Sequence, residues 1–311
     1  MLGSILDGII LGCTITLGGL GISYVLLLQN YFNFTGGTFF TLGAYLAFAF
    51  LGFIPMGSFP LVTFGPGLIL ALVLAMIAMG LIMTVTDKLL YRPLRERNAP
   101  FMFFYLTAFG MLFVLRSIIY LVWGAQLKNY VSGIPHYLRG PAGISVTWDE
   151  IFVIVATLVI VAIVYFFQYH TKLGKGMLAT ANNSELAELS GIRNRDINTL
   201  TTIIAGILTA TGGVFYGLTI QLRPMMGFTL LMAMFFAVVT GGEGAILGTF
   251  GAGLIIGITQ EFGSSLLQML WDATGVPIQM GGYKATLSFL LLVVILIFQP
   301  QGIFKGTPLE K

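Results

Sequence analysis

The chain has 311 residues, 57% hydrophobic and 9% charged, with a net charge of +3. Soluble domains carry about 25% charged residues, so this composition excludes a soluble globular domain and predicts a chain immersed in a bilayer. The small net charge gives no reason to expect a nucleic-acid partner, and the single cysteine, Cys13, excludes an intrachain disulfide or a cysteine metal cluster.

A crossing helix needs about 20 predominantly apolar residues. In chain order the candidates are 4–28, 38–54, 66–86, 102–123, 151–169, 200–222, 228–240, 245–270 and 285–298. The second, seventh and ninth are short, which predicts half-helices or irregular spans. The expectation is an all-α polytopic membrane protein with eight or nine hydrophobic segments, some discontinuous. It forms a single transmembrane domain over 1–311, with a long outer segment at 124–148 and a cytoplasmic insertion at 170–198.

The first segment contains one charge, Asp7, and no Lys or Arg precedes its apolar run. It lacks the basic region of a cleaved signal peptide and reads as a retained span, with Cys13 a small apolar residue inside it. The stretch NFTGGTFFTLGAY, 33–45, follows. Its Asn-x-Thr pattern matches a glycosylation acceptor, but the flanks leave no room for an exposed loop. Gly36 and Gly37 end one apolar run and Thr38 is placed to cap a shorter helix, so the stretch predicts a backbone break at membrane depth. Such a break survives only where protein or a wet cavity satisfies it. Asn33 and Thr35, with Thr41 nearby, either satisfy freed backbone groups or touch a solute.

After 66–86 comes a basic run with Lys88, Arg92, Arg95 and Arg97. Asn98-Ala-Pro100 reads as a cap and first turn for the fourth span. Arg116 lies inside that span. A cation there is a functional-site candidate by default: it meets an anionic solute, or it pairs with Asp7, Glu261 or a helix C-terminus, or it snorkels outward. The outer segment 124–148 reads as a small hairpin or an irregular loop, serving as a connection or as a docking surface. Thr147-Trp-Asp-Glu150 is a capping box opening the fifth span.

In the insertion, 184–190 reads as a short helix with Asn183 or Ser184 as N-cap and Gly191 as its stop. Leu186, Leu189 and Ile192 form an apolar edge. Seven residues are too few for an isolated helix, which favours docking to a cytoplasmic partner over lying on the membrane surface. Further on, the Met-rich stretch 223–234 reads as adaptable lining or core. Gly241, Gly242, Glu243 and Gly244 break the chain, with Glu243 expected to cap the next helix. Gly253 and Gly257 share one helix face and permit close packing.

Orientation follows from Lys and Arg. Lys88, Arg92, Arg95, Arg97, Lys172, Lys175, Arg193, Arg195, Lys305 and Lys311 fall on one side; Lys128, Arg139, Arg223 and Lys284 fall on the other. The first side is read as cytoplasmic and holds the C-terminus. No G-x-x-x-x-G-K-[ST] loop for ATP occurs, and His136 and His170 fall on opposite faces, too far apart for a shared metal or catalytic pair.

Five motifs in order resemble the integral membrane subunits of branched-chain amino acid ABC importers, the LivH-type permeases. They are Asn33-Phe-Thr-Gly-Gly37 with Gly43-Ala44-Tyr45; Tyr91-Arg-Pro-Leu-Arg95; Thr171 to Met177 with Ser190-Gly191-Ile192; Gly241 to Gly248; and Pro300 to Gly302 with Ile303 to Gly306. The resemblance implies a translocation subunit without its own ATP site, in a bacterial or archaeal cytoplasmic membrane. It also implies a second related permease, two cytoplasmic ATPases that use ATP and magnesium, and an extracytoplasmic substrate-binding protein; this chain itself binds no cofactor. Contact with the ATPases is implied for Lys172, Leu173, Gly174, Lys175, Leu186, Leu189, Gly191 and Ile192. Path candidates are Asn33, Thr35, Gly36, Gly37, Thr41, Arg116, Gly241, Gly242 and Glu243. Two departures bear on substrate: Gly36 replaces the family's His, and Arg116 stands where relatives often have Gln, sometimes Arg. Relatives of this type also carry urea and short amides. The competing reading is a self-sufficient secondary transporter or channel; the scarcity of intramembrane acids for ion coupling speaks against the secondary transporter.

Overall fold

The computed structural model describes residues 2–29, 31–55, 57, 62–131, 137–139, 145–272 and 280–299. His136, Lys305, Lys311 and the motif at 300–306 lie outside them. The chain is an α-helical polytopic membrane protein. Among the described residues, seven helices are long and apolar enough to cross a bilayer and two apolar helices are shorter.

Helix α1 (Leu2–Gln29) is the central post, buried along almost its whole length. Helix α2 (Gly36–Leu51) and helix α3 (Pro66–Thr86) follow. The expected start of α2 at Thr38 is corrected: the helix begins at Gly36, and neither Thr35 nor Thr38 caps it with a side chain. Helix α3 does not stop at Thr86. It continues through a π-helical turn, Asp87–Tyr91, into α4 (Arg92–Glu96). The physical cause is Pro93, which lacks an N–H and whose ring would strike a carbonyl one turn back; the wider turn makes room.

Asn98 does not cap α5 (Phe101–Trp123). It sits at φ 49° where the chain reverses after α4, and Pro100 occupies the cap position. Between α5 and α6 (Trp148–His170), strands β1 (Tyr137–Arg139) and β2 (Ser145–Thr147) pair antiparallel as a small hairpin. The segment before the hairpin is tied down by paired backbone hydrogen bonds between Lys128 and Leu222, and by Tyr130, whose hydroxyl donates to Ala44 O at 2.8 Å. The Thr147–Glu150 capping box is present, closing α6 at its start.

The insertion forms two helices, α7 (Lys172–Asn182) and α8 (Ser184–Leu189), where one was expected. Then come α9 (Asn194–Thr219), α10 (Met226–Gly241), α11 (Ile246–Asp272) and α12 (Lys284–Phe298). The packing repeats itself: α1 lies on α11 as α9 lies on α3, α2 on α9 as α10 on α1, and α5 touches α2 as α12 touches α10. Thus α1, α2, α3 and α5 match α9, α10, α11 and α12, with α6, α7 and α8 between them. Glycine seams allow the closest of these contacts. Gly8 and Gly12 of α1 face Ile258 and Leu254 of α11, and a Cβ on either would come within 2.7–2.8 Å of that backbone. The expected packing role of Gly253 and Gly257 is met here, against Thr16 and Gly12.

Candidate functional site

The two short helices begin beside each other. Each has 16 residues, about 24 Å of helix, against a hydrocarbon core of about 30 Å. Gly37 of α2 and Gly227 of α10 meet backbone to backbone, leaving no space for a Cβ on either. The Thr41 hydroxyl donates to Gly37 O at 3.1 Å and accepts the Gly227 N–H at 3.0 Å. Asn33 and Thr35 are buried inside the subunit. Asn33 Oδ1 accepts the Thr35 N–H at 3.0 Å and the Tyr91 hydroxyl at 3.4 Å, while the Thr35 hydroxyl donates to Ala108 O at 3.1 Å. These side chains satisfy the broken backbone and pin it to α5 and to the π turn. Gly36 is buried against Ile22.

Below Tyr91, Asp87 is buried and takes both oxygens to Arg95 Nη2 at 2.8 and 2.9 Å, with Gln29 Nε2 donating at 3.2 Å. In sequence Arg95 reads only as part of the basic run after 66–86, and Asp87 carries no signal of its own. The signal that relocates them is Pro93, six residues after Asp87 and two before Arg95.

The Gly241–Gly244 break lies at the face that carries the insertion. Gly242 and Gly244 have φ of 94° and 74°, a backbone region that favours glycine. Gly241 packs directly on the Gly248 backbone. The Gly244 N–H donates to Ser23 Oγ at 3.1 Å, Gln168 Nε2 donates to Gly244 O at 3.2 Å, and the Tyr24 hydroxyl donates to Gln168 Oε1 at 2.7 Å. All three side chains are buried. Sequence reasoning missed Gln168; a glutamine in the last turn of a span was the available signal. The expected cap by Glu243 is corrected. Glu243 is half-buried and makes no hydrogen bond or ion pair among the described residues, and α11 starts at Ile246. Ser23 and Gln168 hold the break in its place.

Three residues after Gln168, Thr171 caps α7 by accepting the Gly174 N–H at 3.0 Å. A Cβ on Gly174 would strike the Phe167 and Gln168 carbonyls, so the α6–α7 corner requires glycine. Lys172, Leu173 and Lys175 are exposed. Asn183 caps α8, accepting the Leu186 N–H at 2.9 Å. Gly191 ends it at φ 86°, its N–H donating to Glu188 O at 2.9 Å while the Ile192 N–H donates to Ala187 O at 3.0 Å, a Schellman closure. Asn194 Nδ2 donates to Ser184 O at 2.8 Å and locks α8 against α9. Leu186 and Leu189 are 61% and 86% exposed. The expected three-residue apolar edge is corrected to two, because Ile192 turns inward onto the core.

Arg116 is the sixteenth of the 23 residues of α5, about 10 Å of helix from Trp123. An unpaired cation at the centre of the hydrocarbon costs about 2.5–3.5 kcal/mol on insertion scales. Its guanidinium carbon lies 5.8 Å from the Tyr120 ring centre and 5.9 Å from that of Phe228. The acid-pairing reading is corrected: no acid pairs with Arg116 among the described residues, and Glu261 is held by Lys284 at 2.6 Å.

A polytopic bundle with an inverted pair of short helices and a capped insertion defines a membrane translocation subunit in class. The family model described as "Branched-chain amino acid transport system / permease component" matches residues 4–298, and the chain belongs to that family. It is 27% identical over 320 residues to the Pseudomonas aeruginosa protein named "High-affinity branched-chain amino acid transport system permease protein BraD", covering 99% of this chain and 96% of that one. It is 28% identical to the permease protein LivH of Escherichia coli K12, covering 98% and 96% of the two chains. It is 25% identical to a probable LivH permease of Methanocaldococcus jannaschii, covering 96% and 91%.

Proposed function

We propose that this chain is the membrane permease subunit of an ATP-driven importer that moves branched-chain amino acids or similar small polar solutes inward by alternating access. The observation that carries the reading is the insertion. A six-residue helix cannot hold itself in water, yet α8 is capped at both ends, locked by Asn194, and presents Leu186 and Leu189 outward. Two exposed leucines on a rigid knob fit a groove in a cytoplasmic partner. Membership in a family of transport-system permease components fits a multi-subunit assembly; in this reading the partner of α8 is an ATPase, and a second permease and an extracytoplasmic binding protein complete the assembly.

In this reading the insertion face is cytoplasmic, the membrane is the cytoplasmic one, and ATP is hydrolysed by the partners. Lys172, Leu173, Lys175, Leu186 and Leu189 meet the ATPase; Gly174, Gly191 and Ile192 shape the surface that presents them. The path runs past the α2–α10 crossing. Asn33, Thr35, Gly36, Gly37 and Thr41 hold the backbone beside it without facing the solute, and Gly241, Gly242 and Glu243 sit at its cytoplasmic end. The test is ATPase coupling: Leu189→Asp should leave basal hydrolysis by the assembled ATPases and lower uptake at least tenfold. Unchanged uptake by that variant would remove the reading of α8.

A further inference from the structure

Two cavities meet between the π turn with α4 on one side and α8 with the start of α9 on the other. The larger, about 800 Å³, is lined by Lys88, Arg193 and Arg195 and by Leu200 and Ile203 of α9. The smaller, about 500 Å³, reaches Arg92, Arg95 and Asn198. Both are lined by Lys88, Glu188, Asn194, Arg195 and Thr199, so they form one cleft. Leu186 and Leu189, the outward leucines of α8, do not line it. The cleft is amphipathic along its length. Ile203 stands about 12 Å of helix below Arg195, in a helix apolar enough to cross the bilayer. On the other wall Leu81 and Val85 of α3 are exposed and share a helix face with Lys88. The cleft therefore opens from a basic rim onto an apolar membrane surface.

Its charges do not cancel. Asp87 is held by Arg95, Glu96 by Arg92 and Asp196 by Arg193. Glu188 receives only a long bond from Asn194 Nδ2, at 3.4 Å. Among the described residues, Lys88 and Arg195 form no salt bridge. With Glu188 set against one of them, a single positive charge is left over. In the lining of the smaller cavity, Arg95 Nη1 and Asn198 Oδ1 are buried without a partner among the described residues, and buried polar atoms normally have one. The occupant that complements the cleft carries one negative charge, further polar groups and an apolar tail. Basic pockets between membrane helices hold the headgroups of anionic lipids on this chemistry.

We propose that the cleft binds an anionic phospholipid of the phosphodiester class: its phosphate lies between Lys88 and Arg195, its polar headgroup extends toward Arg95 and Asn198, and an acyl chain passes Leu200 and Ile203 into the bilayer. A phosphodiester carries the single charge that the cleft lacks, whereas a phosphomonoester carries about −1.5 to −2. The bound lipid ties α3 to the α8–α9 corner, which presents the insertion. The proposal does not depend on what the subunit moves.

The test uses the full-length chain in detergent, with dioleoyl phosphatidylglycerol as probe, dioleoyl phosphatidylcholine as control, and native mass spectrometry to read the lipid retained. Phosphatidylglycerol should be held in preference to phosphatidylcholine. Lys88→Gln with Arg195→Gln should weaken its binding at least about tenfold. Both residues are exposed, so the fold should survive; if the pair fails to fold, Arg195→Gln alone gives the reading. Arg97→Gln with Lys172→Gln removes the same charge outside the cleft and should leave binding within about twofold of wild type. Glycerophosphoglycerol, the headgroup without chains, should not displace the lipid at equal concentration. Equal retention of the two lipids, or equal loss in the two double variants, overturns the proposal. Full displacement by glycerophosphoglycerol does so too, since the site would then be one for a free anion. So does loss of the ATPase subunits from complexes of Lys88→Gln with Arg195→Gln while phosphatidylglycerol is still retained, which would make the cleft a protein contact.

Discussion

Buried polar residues hold this subunit together at the places where its helices break. Asp87 and Arg95 form a close pair with Asp87 almost wholly buried. Removing one partner of a buried pair costs about 3–5 kcal/mol because the other charge is stranded. Asp87→Asn should therefore lower the melting temperature of the detergent-purified complex clearly, near the lower end of that range since Arg95 is partly exposed. A melting curve superimposed on wild type would show the pair to be dispensable. Asn33→Ala removes the acceptor for the Thr35 N–H and the Tyr91 hydroxyl. The expected loss is about 1–3 kcal/mol from unsatisfied buried donors, with the KM for solute unchanged. A raised KM at normal stability would place Asn33 in contact with the solute instead.

Three helix ends with explicit chemistry are legible in the sequence, whereas the Thr38 and Asn98 caps and the ends shaped by tertiary crowding are not. The Thr147 box, the Asn183 cap and the Gly191 stop are local hydrogen-bonding devices, and all three occur. The start of α2 lies two residues earlier than the sequence suggests because Gly36 and Gly37 are poor helix formers, and what favours them there is tertiary: Ile22 crowds Gly36 and Gly227 crowds Gly37. The continuation of α3 was missed because a proline normally ends a helix, and the π turn is a tertiary accommodation. Glu243 illustrates the same limit at the site: its place next to a helix start suggested a cap, whereas Ser23 and Gln168, distant in sequence, hold that break. The cap at Gly191 gives a sharp test. A Cβ there meets no neighbour, but the left-handed φ alone costs about 1–2 kcal/mol. Gly191→Ala should speed hydrogen exchange across α8 while leaving the bundle protected; unchanged exchange would mean that the Schellman closure is not what holds α8.

The whole molecule joins the insertion to the membrane break by a short path. Gln168 in the last turn of α6 bonds Tyr24 of α1 and Gly244 of the α10–α11 break, and α7 begins four residues after it. Gln168→Leu strands both partners. It should cost about 1–3 kcal/mol and lower uptake per ATP hydrolysed more than it lowers assembly; an unchanged ratio would remove Gln168 from the transmission. The inverted packing of the two halves supplies bodies able to rock about the Gly37–Gly227 crossing. In the proposed function, energy enters through α7 and α8. The most direct test is uptake of radiolabelled L-leucine into proteoliposomes containing this chain with its second permease and binding protein, with and without the ATPase subunits. Uptake that appears only with the ATPases and ATP, and is lost with Leu189→Asp, is the predicted result. Robust uptake by this chain alone would contradict the account.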